Sequence, residues 1–213
     1  DGELALKGLN RSTFEDILVK NMRRRLSPLG KFAFTKSQST VMIEPLEEGI
    51  DLDEAAGRLT RVFGIAGFSR AAQAPKEMGE ILRIAGEYLA PQLMEAASFK
   101  VEAKRSDKSF PMKSPEICAG VGEYLLEQYP HLQVDVHQPD VVVMVEVRDY
   151  AAYIHGSQIK GAGGIPVGSG GKAMLLISGG IDSPVAGYMM AKRGLEISAI
   201  HFVSPPYTSE RAK

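Results

Sequence analysis

Ala173-Met-Leu-Leu-Ile-Ser-Gly-Gly-Ile-Asp-Ser-Pro-Val-Ala186 is the most informative stretch of this chain. A short apolar run leads into Ser178-Gly-Gly-Ile-Asp-Ser183, and a helical pattern follows at once. We therefore predict a buried strand at 173–178, a phosphate-binding turn and a helix at 184–193. A second apolar run predicts a strand at 196–203, so the stretch is expected to form a right-handed βαβ unit with parallel strands.

The turn has the residue types of a phosphate-binding loop. Gly179 and Gly180 permit positive φ and close backbone approach, so successive N–H groups can point at an anion. Ser183 is predicted to be the N-cap and Pro184 the first helical residue. Asp182 would repel a bare phosphate, so we interpret it as a Mg²⁺ ligand or as a residue that orients the loop. The alternative is a glycine turn that binds nothing, and the complete hexapeptide after an apolar strand argues against it.

Two other phosphate motifs fail on inspection. A P-loop ending at Gly171-Lys172 would need glycine where Pro166 stands and a hydroxyl where Ala173 stands. Gly161-Ala-Gly163 resembles a dinucleotide fingerprint, but Pro166 occupies the place where a helix should begin. There is also no Gly-x-Ser-x-Gly elbow. The lack of a P-loop lysine argues against an ordinary kinase or ATPase.

Composition and length set wider limits. The chain of 213 residues is long enough for two or three small domains, and its net charge of −1 shows no global excess of cations. No apolar run approaches the roughly 20 residues of a membrane span. The single cysteine, Cys118, excludes internal disulfides and Cys-rich zinc sites, fits a reducing cytosol, and is expected to be a small buried hydrophobe. No resident metal site is predicted.

The residues before the turn predict two α+β units. The first predicted elements are a helix at 11–27, a hairpin of strands at 31–37 and 40–44, a helix at 53–63 and a strand at 68–74. A strand before Asp1 would complete a ferredoxin-like arrangement. The next elements are a helix from Met78 to Leu89 that stops before Pro91, a strand at 99–104, a helix at 115–128 and antiparallel strands at 141–147 and 150–159. A glycine-rich connector at 160–171 follows.

Two basic clusters are candidates for binding nucleic acid. Residues 99–113 carry five cations against two acids: Lys100, Lys104, Arg105, Lys108 and Lys113 against Glu102 and Asp107. Lys20 and Arg23-Arg24-Arg25 form the second cluster on the first predicted helix. Such patches bind phosphates without reading sequence, and a solvated charged face is the alternative for each. Because aromatic residues are sparse near 99–113, we expect recognition of helical shape there.

The hexapeptide Ser178-Gly-Gly-Ile-Asp-Ser183 resembles the PP-loop of the ATP pyrophosphatase family. Its flanks resemble the tRNA 4-thiouridine synthetases of the ThiI type more narrowly. The stretches that carry this likeness are Gly161-Ala-Gly-Gly-Ile-Pro-Val-Gly168, His201-Phe-Val-Ser-Pro-Pro-Tyr-Thr-Ser-Glu-Arg-Ala-Lys213 and Gly2-Glu-Leu-Ala-Leu-Lys-Gly-Leu-Asn-Arg11. The likeness spans the whole chain in that family's domain order.

The resemblance implies a fold class and domain limits. We expect an α+β part, made of a ferredoxin-like domain and a THUMP domain, followed by the start of an α/β parallel-sheet PP-loop domain. The expected limits are 1–53 for the ferredoxin-like domain, or up to 74 with its last helix and strand, 54–158 for the THUMP domain, 159–171 for a linker and 172–213 for the PP-loop domain. The opening without Met and the helix-like 208–213 lead us to expect a fragment.

The resemblance also implies an activity. Such enzymes adenylate uridine 8 of tRNA with ATP and Mg²⁺, and sulfur from a cysteine desulfurase then displaces AMP. A role in thiamine thiazole formation, a homodimer and a cytoplasmic location would follow, without a membrane. The implied sulfur-carrying cysteine lies beyond this chain, so Cys118 is not expected to carry a persulfide. The alternatives are another PP-loop enzyme, such as a different tRNA thiolase or an amidating synthetase, or a module that only binds RNA.

The candidate site residues fall into two sets. The resemblance implies the first set; the second follows from the local excess of cations at 99–113, to which the THUMP likeness adds weight, and from the family-like opening stretch. The ATP set is Leu176, Ile177, Ser178, Gly179, Gly180, Asp182, Ser183, His201 and Phe202, with Asp182 as the catalytic residue. The RNA set is Lys7, Arg11, Lys100, Lys104, Arg105, Lys108 and Lys113. The ATP set lies at the carboxyl ends of two predicted parallel strands, which is where open α/β sheets bind ligands.

Overall fold

A computed structural model describes residues 11–37 and 40–203. The chain divides into two compact units: the first is Asp1–Phe68 with Ile159–Lys213, and the second is Ser69–Gln158. Among the described residues, no helix has both the length and the apolar character needed to cross a membrane. Each unit has its own hydrophobic core, so each is described by itself.

The first unit begins with an α+β layer. Its elements are α1 (Arg11–Leu26), a 3₁₀ turn (Ser27–Leu29), β1 (Phe32–Ser37), β2 (Thr40–Pro45), α2 (Leu52–Leu59) and β3 (Gly67–Phe68). β1 and β2 pair in antiparallel orientation, which confirms the predicted hairpin. The Asp51 carboxylate accepts hydrogen bonds from the backbone N–H groups of Asp53 and Glu54 at 2.9 Å, which caps α2.

The core of this layer lies between α1 and the segment that follows α2. Its buried residues are Leu18, Val19, Met22, Leu26, Ala55, Leu59, Val62 and Ile65. The predicted domain boundary at 53/54 falls inside this core, because α2 contributes two of its residues. The helix predicted at 53–63 ends earlier, at Leu59, since Arg61 and Val62 form tighter hydrogen bonds to carbonyls three residues back.

The single strand predicted at 68–74 is wrong, because it is two strands in different sheets. β3 pairs antiparallel with β9 (Ile159–Lys160) in the first unit. β4 (Ala71–Ala74) pairs antiparallel with β8 (Ala152–His155) in the second unit. The strand predicted at 150–159 is split in the same way into β8 and β9. The chain therefore changes units between β3 and β4, and again between β8 and β9.

The second unit is a mixed sheet with two helices. Its remaining elements are α3 (Met78–Glu95), β5 (Ser98–Arg105), α4 (Ser114–Gln128), β6 (Gln133–Val134) and β7 (Val141–Val147). The five strands are ordered β4-β8-β7-β5-β6, with β5 parallel to both of its neighbours. Fully buried residues of both helices and the sheet form one core, among them Ile81, Leu89, Leu93, Phe99, Ile117, Val121, Leu125, Val143 and Val145.

Helix α3 continues past Pro91, contrary to the prediction that it stops there. Proline removes one backbone hydrogen bond from a helix and crowds the preceding turn. The last turn nevertheless buries Leu93 completely and Ala96 almost completely in the core. Burial of this extra apolar surface offsets the proline penalty, so packing overrides the local signal.

The predicted βαβ unit is present in the first unit of the fold. It consists of β10 (Lys172–Leu176), α5 (Asp182–Lys192) and β11 (Glu196–Ile200), and the two strands are parallel. Both strands are shorter than predicted. One face of β10 packs on α5, where a Cβ on the buried Gly187 would lie 2.8 Å from Cδ2 of Leu175.

The glycine-rich segment (residues 161–171), predicted as a linker, is hydrogen-bonded along its length. Its first half lies against the end of the ferredoxin-like core: Gly161 N–H donates to Ala66 O, and Gly163 N–H donates to Ile65 O. Gly64 N–H donates in turn to Gly163 O at 2.8 Å. These bonds hold the first half of the segment against the core.

The second half of the glycine-rich segment lies against the end of α5. Ile165 N–H donates to Lys192 O at 2.9 Å, and the N–H groups of Gly168 and Gly170 both donate to Gly194 O. The side-chain amide of Asn21 on α1 donates to Val167 O at 2.9 Å. The segment therefore joins the ferredoxin-like core and the βαβ unit.

Candidate functional site

The candidate nucleotide site is the turn between β10 and α5, residues 177–181. Because Leu176 pairs in parallel with Ile200, both strands end at the same edge of the sheet. Ile177 N–H donates to Ile200 O at 2.9 Å, which fixes the start of the turn beside the end of β11. The structure thus brings the turn and His201-Phe202 to one edge.

The turn is closed by its own serines. Ser178 N–H donates to Oγ of Ser183 at 3.2 Å, and the two hydroxyl oxygens lie 3.5 Å apart. Gly180 N–H donates to Oγ of Ser178 at 3.4 Å. The prediction that Ser183 is the N-cap of α5 is wrong, because Ser183 is the second residue of the helix. The N-cap is Ile181, which offers no side-chain acceptor, so Ser183 instead crosses the turn.

The predicted positive φ angles are not found in the turn. The glycines with positive φ flank the site, for example Gly168, Gly171 and Gly194, and neither Gly179 nor Gly180 is among them. A Cβ on Gly180 would make only an ordinary contact, at 3.5 Å from Oγ of Ser178. Gly179 and Gly180 therefore leave the surface of the turn open, and they do not adopt a backbone conformation that only glycine favours.

The first turn of α5 has groups that could bind an anion. The N–H groups at the start of a helix have no partner within the helix and carry the positive end of its dipole. Pro184 lacks an N–H, but it stands in this first turn, where none is needed. Ser178, Gly179, Gly180 and Asp182 are exposed, so a ligand can reach these donors and the carboxylate.

His201 directly follows β11 at this edge of the sheet. Its Nδ1 lies 3.0 Å from the carbonyl oxygen of Ile177, and a carbonyl only accepts, so Nδ1 carries the proton. Nε2 is buried and has no hydrogen-bond partner within the described residues. A buried nitrogen without a hydrogen-bond partner is unusual, and with the proton on Nδ1 this nitrogen is an acceptor. The exposed Phe202 follows directly.

Leu176 is exposed, contrary to the prediction that the strand at 173–178 is buried. It is 63% exposed, and Met174 on the same face of β10 is equally exposed. In the described part of the chain, α5 covers only the other face of this two-stranded sheet. Ile177 is half-buried at the start of the turn.

The donor set fits Mg²⁺ only when a phosphate accompanies it. Mg²⁺ is usually held by one or two carboxylates together with substrate phosphates and waters. The turn and the start of α5 together offer one carboxylate, Asp182, and the hydroxyls of Ser178 and Ser183. Within residues 11–37 and 40–203, no group of three or more His, Cys, Asp or Glu side chains is arranged to hold a metal ion by itself.

The predicted RNA residues of the second unit have different roles. Lys104, Lys108 and Lys113 are exposed. Lys100 forms an ion pair with Glu102 at 2.7 Å. Arg105 donates to the carbonyl oxygen of Phe110 at 3.0 Å, so it also holds the loop that carries the cluster.

The aromatic residues near this cluster are not available to stack on bases. Phe99 is fully buried and Phe110 is 5% exposed. Recognition of RNA by its backbone and helical shape at this cluster stays a prediction. In the first unit, Arg11 forms an ion pair with Glu15 at 2.7 Å. Lys7 lies outside the described residues.

Two polar clusters of the second unit were missed from the sequence. Lys76 donates to the Asp107 carboxylate at 2.7 Å and to the carbonyl of Asp149, and its hydrogen bond is the main cause of a lowered pKa at Asp107. His155, with Arg148, lowers the pKa of Glu146 from 4.5 to about 2. The partners of Lys76 are 31 and 73 residues away and leave no local signal in the sequence. Arg148 and His155 are near Glu146 in sequence, but they meet it only through the pairing of β7 with β8.

Cys118 is half-buried on α4 rather than fully buried. Desolvation raises the pKa of its thiol, and a hydrogen bond from Ala103 opposes this shift only in part. A raised pKa keeps the thiol protonated and unreactive at neutral pH. That Cys118 carries no persulfide stays a prediction.

Two α+β domains followed by a strand, a PP-loop-type turn and a helix define a class of multidomain α/β proteins. Three family models match the chain in this order: the ThiI ferredoxin-like domain at residues 1–69, the THUMP domain at 75–155 and Thiamine biosynthesis protein (ThiI) at 168–213. The chain belongs to the ThiI family, and the predicted fold class is confirmed.

Relatives and solved structures agree with this assignment. The chain is 50% identical to a probable tRNA sulfurtransferase of Acetivibrio thermocellus and 48% identical to one of Lachnoclostridium phytofermentans. These matches cover 100% and 99% of this chain and 54% of each relative, so the chain spans about half the length of the curated relatives it matches.

Two crystal structures are similar in fold. One is a 4-thiouridine synthetase–RNA complex with bound ATP, at 38% identity and a TM-score of 0.83, covering 96% of this chain and 51% of that one. The other is a protein of Pyrococcus horikoshii, at 31% identity and a TM-score of 0.80, covering 92% of this chain and 64% of that one.

Proposed function

We propose that this chain is the RNA-binding and ATP-binding part of an ATP-dependent tRNA sulfurtransferase. The protein would adenylate uridine 8 of tRNA and replace its 4-oxygen with sulfur. The observation that supports this most is the turn at 177–181: its helix N-terminus, serines and Asp182 stand at the strand edge where nucleotides bind. Two further findings support the same function. The relatives are named probable tRNA sulfurtransferases, and one similar crystal structure is a 4-thiouridine synthetase–RNA complex with bound ATP.

In this proposal the residues of the turn hold the pyrophosphate part of ATP. The first-turn N–H groups of α5, with Ser178, Gly179, Gly180 and Ser183, would donate to phosphate oxygens. Asp182 would bind the Mg²⁺ that accompanies ATP, which supplies charge neutralisation at the phosphates. His201 would accept a hydrogen bond at Nε2, and Leu176, Ile177 and Phe202 would offer apolar surface to the adenosine.

The exposed cations of the second unit would contact tRNA phosphates. Lys104, Lys108 and Lys113 form no ion pair within the described residues and suit this role. Arg105 would both contact RNA and hold its own loop. Lys100, Lys7 and Arg11 stay in the proposed set. Such contacts position RNA without reading bases.

Several further features stay proposals. They are a cysteine desulfurase as persulfide donor, a homodimer, a role in thiamine thiazole formation and a cytoplasmic location.

The proposal is tested by Asp182→Ala in the intact protein. We expect the variant to bind tRNA with unchanged affinity and to lose tRNA-dependent adenylation by at least 10²-fold, because a ligand of the charge-neutralising ion is gone. Adenylation would be followed as release of labelled pyrophosphate, and tRNA binding by filter retention.

Glu196→Ala is the matched control. Glu196 is an exposed acid of the same βαβ unit, but it is the first residue of β11, at the end of the strands away from the turn. It should leave both measurements unchanged. Normal adenylation by the Asp182→Ala protein would refute the proposed role of the turn.

A further inference from the structure

Helix α1 carries an exposed basic surface that the proposed nucleotide site does not use. The α1 surface consists of Lys20, Arg23, Arg24 and Arg25, all of them exposed. The opposite side of the helix is buried in the core through Leu18, Val19, Met22 and Leu26. Lys20 and Arg24 are four residues apart, so they lie on one face about 5–6 Å from each other.

The acidic residues of α1 do not neutralise this surface. Glu15 forms an ion pair with Arg11, and Asp16 forms one with Lys36 of β1. Within residues 11–37 and 40–203, no ion pair joins an acid to Lys20, Arg24 or Arg25. The surface therefore keeps its positive charge in the folded unit.

Capping of the helix C-terminus does not account for these arginines. Cations near a helix C-terminus often hydrogen-bond its last carbonyls. Here the carbonyl of Arg24 accepts from Oγ of Ser27, and the carbonyl of Arg25 accepts from Nη1 of Arg58. The side chains of Arg24 and Arg25 thus remain free for another anion. Arg23 differs, since its guanidinium lies 5.1 Å from the ring centre of Phe34.

The surface belongs to the same unit as the nucleotide turn. Asn21 on α1 donates to Val167 of the glycine-rich segment, and that segment is hydrogen-bonded to Lys192 and Gly194 at the end of α5. A polyanion held on α1 would therefore be positioned relative to the turn by a continuous set of hydrogen bonds. The cations at 100–113 lie in the other unit.

We infer that the α1 surface is a second phosphate-contacting surface for RNA, one that positions the RNA relative to the nucleotide turn. This inference rests on the proposed function. Phosphates of one nucleic-acid strand suit a row of free cations. An anionic membrane is a less suitable partner for the α1 surface, because the apolar side of α1 is buried in the core and cannot insert into a bilayer.

The test is the salt dependence of tRNA binding by the intact protein, with an unmodified tRNA transcript as the probe. Arg24→Ala and Lys20→Ala should each lower the slope of log K against log salt by about one unit. Arg24→Lys should keep the slope, since a phosphate contact needs the charge. Lys31→Ala is the matched control, because Lys31 is an exposed cation of the same layer that pairs with Glu47.

A positioning role adds a second readout. In Arg24→Ala at saturating tRNA, kcat for adenylation should fall while the KM for ATP is unchanged. If the intact protein binds no tRNA, the proposed function and this inference both fail. If it binds tRNA and the slopes of Arg24→Ala and Lys20→Ala equal that of Lys31→Ala, only the α1 surface is refuted. Arg24-dependent binding of anionic vesicles with unchanged tRNA binding would also refute it.

Discussion

Substitution of Gly164 by alanine tests whether the glycine-rich segment is packed against α5. Gly164 has φ of +74°, and a Cβ there would overlap the carbonyl oxygen of Lys192 and lie 2.6 Å from its Cγ. Its neighbour Gly163 has a similar φ of +62°, but a Cβ there would meet nothing within 4 Å. The two positions thus differ in packing and hardly in backbone conformation.

The expected free energies of unfolding follow from this difference. A left-handed conformation costs alanine about 1 kcal/mol relative to glycine. Gly163→Ala should therefore destabilise the first unit by about 1 kcal/mol. At Gly164 the carbonyl of Lys192 must also shift, which adds about 1–2 kcal/mol of overpacking and weakens its hydrogen bond from Ile165. Gly164→Ala should therefore cost about 2–3 kcal/mol.

Native-state hydrogen exchange is the suitable assay, because it reports the two units separately. In Gly164→Ala the amides of Ile165, Gly168 and Gly170 should exchange about 30-fold faster than in the wild type, which corresponds to about 2 kcal/mol. Amides of β7 in the second unit serve as an internal control and should be unaffected. Equal exchange in Gly163→Ala and Gly164→Ala would refute the packed arrangement.

Two further predictions concern the second unit. Phe99→Ala should lower the free energy of unfolding by about 3–5 kcal/mol in urea denaturation, because Phe99 is fully buried in the core, and a loss below 1 kcal/mol would contradict this packing. The pKa of Glu146 is lowered from 4.5 to about 2 by His155 and Arg148, so its stabilisation is complete above about pH 4.5 and disappears as the pH falls through about 2. After allowance for partial exposure, this stabilisation amounts to about 1–2 kcal/mol. In Glu146→Gln, the free energy of unfolding should therefore vary less with pH between pH 5 and 2 than in the wild type. An unchanged pH profile would exclude the assigned contacts.

The features predicted correctly from the sequence are those set by neighbouring residues. The βαβ unit was found because the apolar runs and the helical pattern lie within about 30 residues. The hairpin of β1 and β2 and the helix α4 were found for the same reason. The turn at 177–181 was located correctly, although its serine contacts were not, since Ser183 bonds across the turn instead of capping α5.

The features that were missed depend on distant partners. β3 and β4 read as one strand because nothing local shows that Phe68 pairs with Ile159 while Ala74 pairs with Ala152. The continuation of α3 past Pro91 depends on burial of Leu93. The order of the glycine-rich segment depends on carbonyls of other elements, and its glycines alone predict only a linker.

The products of ATP test the central claim most directly. We predict that the intact protein, given ATP, Mg²⁺ and unmodified tRNA, releases pyrophosphate in a tRNA-dependent reaction, and that AMP follows when a sulfur donor is added. Asp182→Ala should release neither product, and Glu196→Ala should behave like the wild type. Formation of ADP and inorganic phosphate, or release of pyrophosphate that does not depend on Asp182, would contradict the account.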